Sequence, residues 1–65
     1  MFNKDLMRKM RENKELSMAQ LAEMVGCSAA FISRLENGQK EPTGRILFFL
    51  SKALGCTMDE LWIEI

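Results

Sequence analysis

Between Ser17 and Gly38 the sequence SMAQLAEMVGCSAAFISRLENG carries two short helical patterns with only about three residues between them. Ser17 is placed to N-cap the first, and Gln20, three residues on, completes a capping box. Leu21, Ala22 and Val25 then share one helical face. Gly26 stands where that helix must stop, because a residue without Cβ takes a positive φ at little cost. Cys27 follows, Ser28 is placed to N-cap the second helix, and Asn37-Gly38 ends it. Ile32 and Leu35 mark the inner side of that second helix. So short a connection forbids antiparallel packing and leaves a steep crossing of the two helices. The first helix braces; the second presents Ser28, Ala29, Ala30, Ser33 and Arg34 outward.

Around this pair the chain has little to spare. Sixty-five residues predict one domain, 1–65. A domain of that size buries only about 60% of the surface its unfolded chain exposes, so self-association is one common remedy. A hydrophobic fraction of 48% supplies a core, and a charged fraction of 28% is ordinary for a soluble protein. No run approaches the roughly 18 apolar residues that span a bilayer. The opening MFNKDLMRKM is charged throughout, unlike a signal peptide, so we expect a cytoplasmic protein with no membrane partner. Cys27 and Cys56 lack any histidine to complete a metal site, and no metal or cofactor is expected. Each follows a glycine and precedes a hydroxyl residue, and reads as a small hydrophobe between helices rather than a reactive thiol. Net charge is zero, but unevenly distributed. Residues 28–52 hold four bases and two acids, whereas residues 53–65 hold three acids and no base. One end of the molecule is therefore fit to face phosphate despite the neutral total.

Taken in order, Leu6, Met7 and Met10 predict a first helix from about Asn3 to Asn13, with Phe2 extending its apolar stripe one turn back. Leu16 serves as a hydrophobic staple ahead of Ser17. Pro42 disfavours helix in the residue before it, and Thr43 is a plausible N-cap for a fourth helix through Leu54. On that helix Leu47, Leu50, Ala53 and Leu54 form one face, with Ile46 and Phe49 off it. Gly55 stops it. Thr57 with Glu60 forms a second capping box, which predicts a short fifth helix through about Trp62. The expected architecture is all-α, built from five short helices.

The residues Leu21-Ala22, Gly26, Ile32-Ser33-Arg34-Leu35-Glu36, Gly38 and Ala53-Leu54-Gly55, at this spacing, resemble the phage-repressor family. This is the Cro/repressor-like, or xenobiotic-response-element, group of helix-turn-helix regulators, with a lambda-repressor-like fold. The resemblance covers roughly Leu6 to Leu61. It implies that the third helix, about Ser28 to Asn37, enters the major groove of double-stranded DNA. Matched by position, Ala29, Ala30 and Arg34 face base edges, with Ser28 and Ser33 beside them. Ser17 and Met18 open the helix that meets the DNA backbone, and Asn37 and Lys40 match the loop that does the same. Arg11 and Glu36 match a structural ion pair tying the first helix to the third.

Two departures from the family weaken the polar contacts. Met18 stands where a glutamine commonly contacts phosphate, and methionine donates no hydrogen bond. Ala29 and Ala30 replace longer readers; alanine touches a thymine methyl but forms no bidentate pair with adenine or guanine. Base reading therefore leans on Arg34, whose bland alternative is a solvated surface arginine. Ile46 and Phe49, with Trp62, Ile63 and Ile65, suggest an apolar homodimer patch, unless Phe49 and Trp62 fold back to thicken the core. A two-fold dimer would set two third helices about 34 Å apart, matching a pseudo-palindromic site. The expected function is a sequence-specific DNA-binding regulator, a repressor. The alternative is a protein-interaction module or antitoxin-like protein of the same fold with weak DNA binding. No catalytic motif points to an enzyme, and no small-molecule ligand is expected.

Overall fold

Four α-helices, not five, make up the chain in the computed structural model, which describes residues 1–64. They are α1 (Lys4–Asn13), α2 (Met18–Val25), α3 (Ala29–Glu36) and α4 (Gly44–Leu54). Each opens on a side-chain cap. Asn3, Ser17, Ser28 and Thr43 accept hydrogen bonds from the amides of Leu6, Gln20, Phe31 and Ile46. Each cap satisfies one of the amides that a helix start leaves without an intrahelical partner. At Ser17 the box is complete, since Gln20 Oε1 accepts from the Ser17 amide at 2.8 Å.

The expected fifth helix is a correction. Its capping box does form: Thr57 Oγ1 accepts from the Glu60 amide, and Glu60 Oε1 from the Thr57 amide. The chain then makes only two tight i→i+3 turns, from the Leu61 amide to Met58 and from the Trp62 amide to Asp59. A continuing helix needs the Ile63 amide to reach the Asp59 carbonyl. That amide instead donates to the carbonyl of Met1, while the Asn3 amide takes the carbonyl of Leu61. Phe2 and Trp62 form an antiparallel bridge between these bonds. One turn of helix is costly to nucleate and gains few bonds, so pairing of the two ends of the chain wins. Phe2 is accordingly extended, ahead of α1, but buried.

One core joins everything. Met7 of α1, Leu21, Ala22 and Val25 of α2, Ile32 and Leu35 of α3, and Leu50 and Leu54 of α4 are buried together with Phe2 and Leu61. Burying a side chain of this size stabilises by about 1.5–3 kcal/mol before conformational entropy is counted. The αL glycines expected to end α2 and α3 are in place. Gly26 ends α2 at φ 86°, turning the chain into α3. Gly38, at φ 76°, ends α3; its amide bonds Leu35 and that of Gln39 bonds Arg34, the two bonds of a Schellman motif.

The same motif closes α1 with the wrong residue. Glu15 has φ 57°, and its amide and that of Leu16 return to the carbonyls of Glu12 and Arg11. A side chain in the αL region costs about 1–2 kcal/mol, against roughly 0.5–1 kcal/mol of added unfolded-state freedom for glycine. Glu15→Gly is therefore expected to stabilise the protein by roughly 0.5–1 kcal/mol. Thermal melting checks this, and a lowered midpoint would contradict it.

Candidate nucleic-acid interface

The α2–turn–α3 unit turns one side of α3 into the core and the opposite side to solvent. Ile32, Leu35 and Glu36 are buried. Ala29, Ala30 and Arg34 are exposed, with Ser33 half-buried among them. At 100° per residue these four span a single continuous face. Ser28 caps α3, its Oγ held 3.1 Å from the Phe31 amide. Ser33 Oγ accepts from Asn37 Nδ2 at 3.4 Å. Arg34 makes no ion pair among the described residues, so its guanidinium is open to a ligand. Lys40, in the loop after Gly38, is exposed as well.

The other backbone-facing candidates are arranged differently. Ser17 is exposed, but its hydroxyl oxygen accepts from the Gln20 amide and its own amide donates to Gln20 Oε1, which leaves it the hydroxyl proton to donate. Met18 is half-buried and packs against the core, so it anchors α2 and offers nothing to an anion. What remains with that hydroxyl at the start of α2 is the helix end itself, whose free amides and positive dipole favour phosphate.

Behind the exposed face sits the ion-paired cluster. The Glu36 side chain is wholly out of solvent. Arg11 grips it as a fork, with Nε 2.6 Å from Oε2 and Nη2 3.2 Å from Oε1. Nη1 of the same guanidinium donates to the Leu16 carbonyl at 2.7 Å, so Arg11 ties α3 and the entry to α2 back to α1. Arg8 adds a third bond, Nε to Glu36 Oε1 at 3.1 Å. Burial alone would push the Glu36 carboxyl up, but the hydrogen bonds and charges of Arg11 and Arg8 outweigh it and hold it below the ordinary carboxylate range. Arg11 is raised in turn, chiefly by its hydrogen bond to Glu36. Glu36 is thus neutralised before it could repel a phosphate. Arg8 was absent from the sequence expectation, although it lies three residues before Arg11, on the same face of α1.

Of the apolar surface candidates, Ile46 is half-buried against the core, whereas Phe49, Trp62 and Ile63 are exposed. Ile46 and Phe49 wall a cleft beside Met24 and Gly26, while Ile63 lies beside Met1, Phe2 and Glu41 in another. Ile65 lies outside the described residues. Phe48, not anticipated, is also exposed and meets Phe49 edge to face, ring centroids 5.5 Å apart. Arg45 sits over Phe49 and Lys52 over Phe48. Cys27 and Cys56 are half-buried against the core, and burial pushes both thiols up, with the Glu60 charge adding to the effect at Cys56. Little thiolate is available at either.

The helix-turn-helix family profile matches residues 7–61, most of the chain, from within α1 through the end of α4 and beyond. The chain belongs to the phage-repressor-like helix-turn-helix family. Among relatives of this family, an HTH-type transcriptional regulator of Mycobacterium tuberculosis is 35% identical over 57 residues, 88% of this chain and 41% of that protein. Repressor protein C2 of Salmonella phage P22 is 43% identical over 54 residues, 83% of this chain and 25% of that protein. The chain therefore spans less than half the length of either relative. The crystal structure of the P22 c2 repressor protein in complex with a synthetic operator superimposes with a TM-score of 0.89 at 38% identity, covering 94% of this chain and 92% of that one. Among the described residues, no helix is long and apolar enough to cross a membrane.

Proposed function

We propose that this chain is a sequence-specific DNA-binding transcriptional regulator, a repressor, that places α3 in the major groove. The observation carrying this reading is the exposed face of α3, where short side chains surround an arginine that has no ion-pair partner among the described residues. Ser28, Ala29, Ala30 and Ser33 let the helix approach base edges closely, and Arg34 supplies the one bidentate donor. Ser17, Met18, Asn37 and Lys40 flank that face, with the helix end at Ser17 and the Lys40 ammonium as its phosphate contacts. The likeness to an operator-bound phage repressor supports the same orientation. We read the protein as cytoplasmic and without catalytic activity. In vitro selection from a random duplex pool tests the reading: enrichment of a defined half-site is expected, and recovery of no preferred sequence would overturn it.

A homodimer on a pseudo-palindromic operator completes the proposal. Phe49, Trp62 and Ile63 leave apolar surface uncovered on a domain too small to waste it, with Ile46 half-buried beside Phe49. Sedimentation of wild type beside Phe49→Glu at micromolar concentration is the check. Wild type is expected to run as a dimer and the charged variant as a monomer; a dimeric variant would place the interface elsewhere.

A further inference from the structure

The loop that joins α3 to α4 contains an acid where an interface for phosphate has no use for one. Glu41 directly follows Lys40, yet no cation pairs with it among the described residues. Its carboxylate turns elsewhere: Oε2 accepts from the main-chain amide of Phe2 at 3.1 Å. Phe2 is a fixed point. Its ring is buried, and its backbone is bridged to Trp62, with the Asn3 amide on Leu61 and the Ile63 amide on Met1 on either side.

The loop itself has little else to hold its centre. Gly38 and Gln39 bond back into α3, and Thr43 caps α4, but the amides of Lys40 and Glu41 make no main-chain hydrogen bond among the described residues. Pro42 disfavours helical backbone at Glu41, so α4 cannot extend back into the loop to hold it. Lys4 packs its aliphatic stem against Gly38, where an added Cβ would come within 3.3 Å of Cε. The start of the chain, Phe2 and the first residue of α1, therefore meets the α3–α4 connection at two places, and Glu41 is the polar one.

We propose that Glu41 is a positioning residue for DNA binding: by holding the Phe2 amide it fixes the loop so that Lys40 stands where a phosphate passes. The inference rests on the DNA-binding reading above. A fixed lysine loses less freedom on contact than one on a loose loop, which is how positioning becomes affinity.

Charge and positioning predict opposite results, which makes the test sharp. Binding of wild type, Glu41→Gln, Glu41→Ala and Lys40→Ala to a fluorescent mixed-sequence 30-base-pair duplex is followed by anisotropy across a salt series. If Glu41 only repels phosphate, both Glu41 variants bind more tightly than wild type. If it positions Lys40, Glu41→Ala binds several-fold more weakly and lowers the slope of log affinity against log salt by about 0.9 per lost contact, as Lys40→Ala does. Glu41→Gln keeps an acceptor and is expected to bind at least as well as wild type. Phe2 amide exchange, followed by NMR without DNA, should lose protection in Glu41→Ala and keep it in Glu41→Gln. Wild type that binds, beside a Glu41→Ala protein that binds equally well or better, overturns the proposal alone. Wild type that binds no duplex at low salt overturns the DNA reading, and this proposal with it.

Discussion

Arg11→Ala is expected to leave much of the protein unfolded at room temperature. A domain of this length has roughly 3–10 kcal/mol of stability, at about 0.05–0.15 kcal/mol per residue. Removing Arg11 leaves the Glu36 carboxylate without solvent, held only by Arg8, whose side chain is 46% exposed against 12% for Arg11. Stranding a buried charge costs about 3–5 kcal/mol, which is a large part of that margin and all of it at the lower end. The Leu16 carbonyl loses its donor as well. Arg8→Ala leaves the fork intact and removes a partly solvated pair, so its cost should stay near or below about 1 kcal/mol. Arg11→Lys should fall between, because an ammonium cannot bond both carboxylate oxygens and the Leu16 carbonyl in one plane. Urea denaturation of the three variants orders them; equal losses for Arg8→Ala and Arg11→Ala would show that the fork has no special weight.

The same cluster sets an acid limb. Glu36 is held below its ordinary value in the fold, while in an unfolded chain a glutamate titrates at about 4.3. Its contribution is therefore fully present above that unfolded value and is lost as pH falls through the folded one. Wild type should weaken progressively below about pH 4, and Glu36→Gln, already weaker at neutral pH, should decline less steeply over that range.

What the sequence disclosed was mostly local. Ser17, Ser28 and Thr43 announce their helices because an N-cap needs only its own side chain and an amide three residues on. Gly26 and Gly38 mark positive φ for the same reason. The fifth helix misled because Thr57 and Glu60 make the same local box, while the competitor is Met1–Asn3, some sixty residues away and without a motif of its own. Nor does composition indicate that Ser51 is buried on α4, its hydroxyl bonded to the Phe48 carbonyl at 2.6 Å. That bond lets the inner face of α4 include Ser51, with Ile46 half-buried and Phe48 outside beside Phe49. The Arg11–Glu36 pairing was implied by the family resemblance, since nothing local joins residues 25 apart. On the exposed face of α3, the outward set followed from helical period once Ile32 and Leu35 were taken as inner. The retreat of Met18 into the core did not, because it depends on how α2 docks.

Arg34→Ala is expected to flatten the sequence preference of the protein at one base position in each half-site. Ala29 and Ala30 offer methyl contacts, and Ser28 and Ser33 already have hydrogen-bond partners, at the Phe31 amide and Asn37. That leaves the Arg34 guanidinium as the group on this face able to meet guanine O6 and N7 together. One such pair is worth about 1–3 kcal/mol of discrimination. A two-fold dimer uses it twice, and separated contacts add, so the selected operator should lose roughly 2–6 kcal/mol against a sequence altered at that position in both half-sites. Binding to unrelated duplex should change far less, with the salt slope nearly preserved, because phosphate contacts carry that component. Anisotropy titration with the selected operator, its guanine-substituted form and an unrelated duplex separates the cases. A variant weakened equally on all three would make Arg34 a phosphate contact. Base reading would then have to come from the shape of the DNA against Ala29 and Ala30 rather than from a donor on α3.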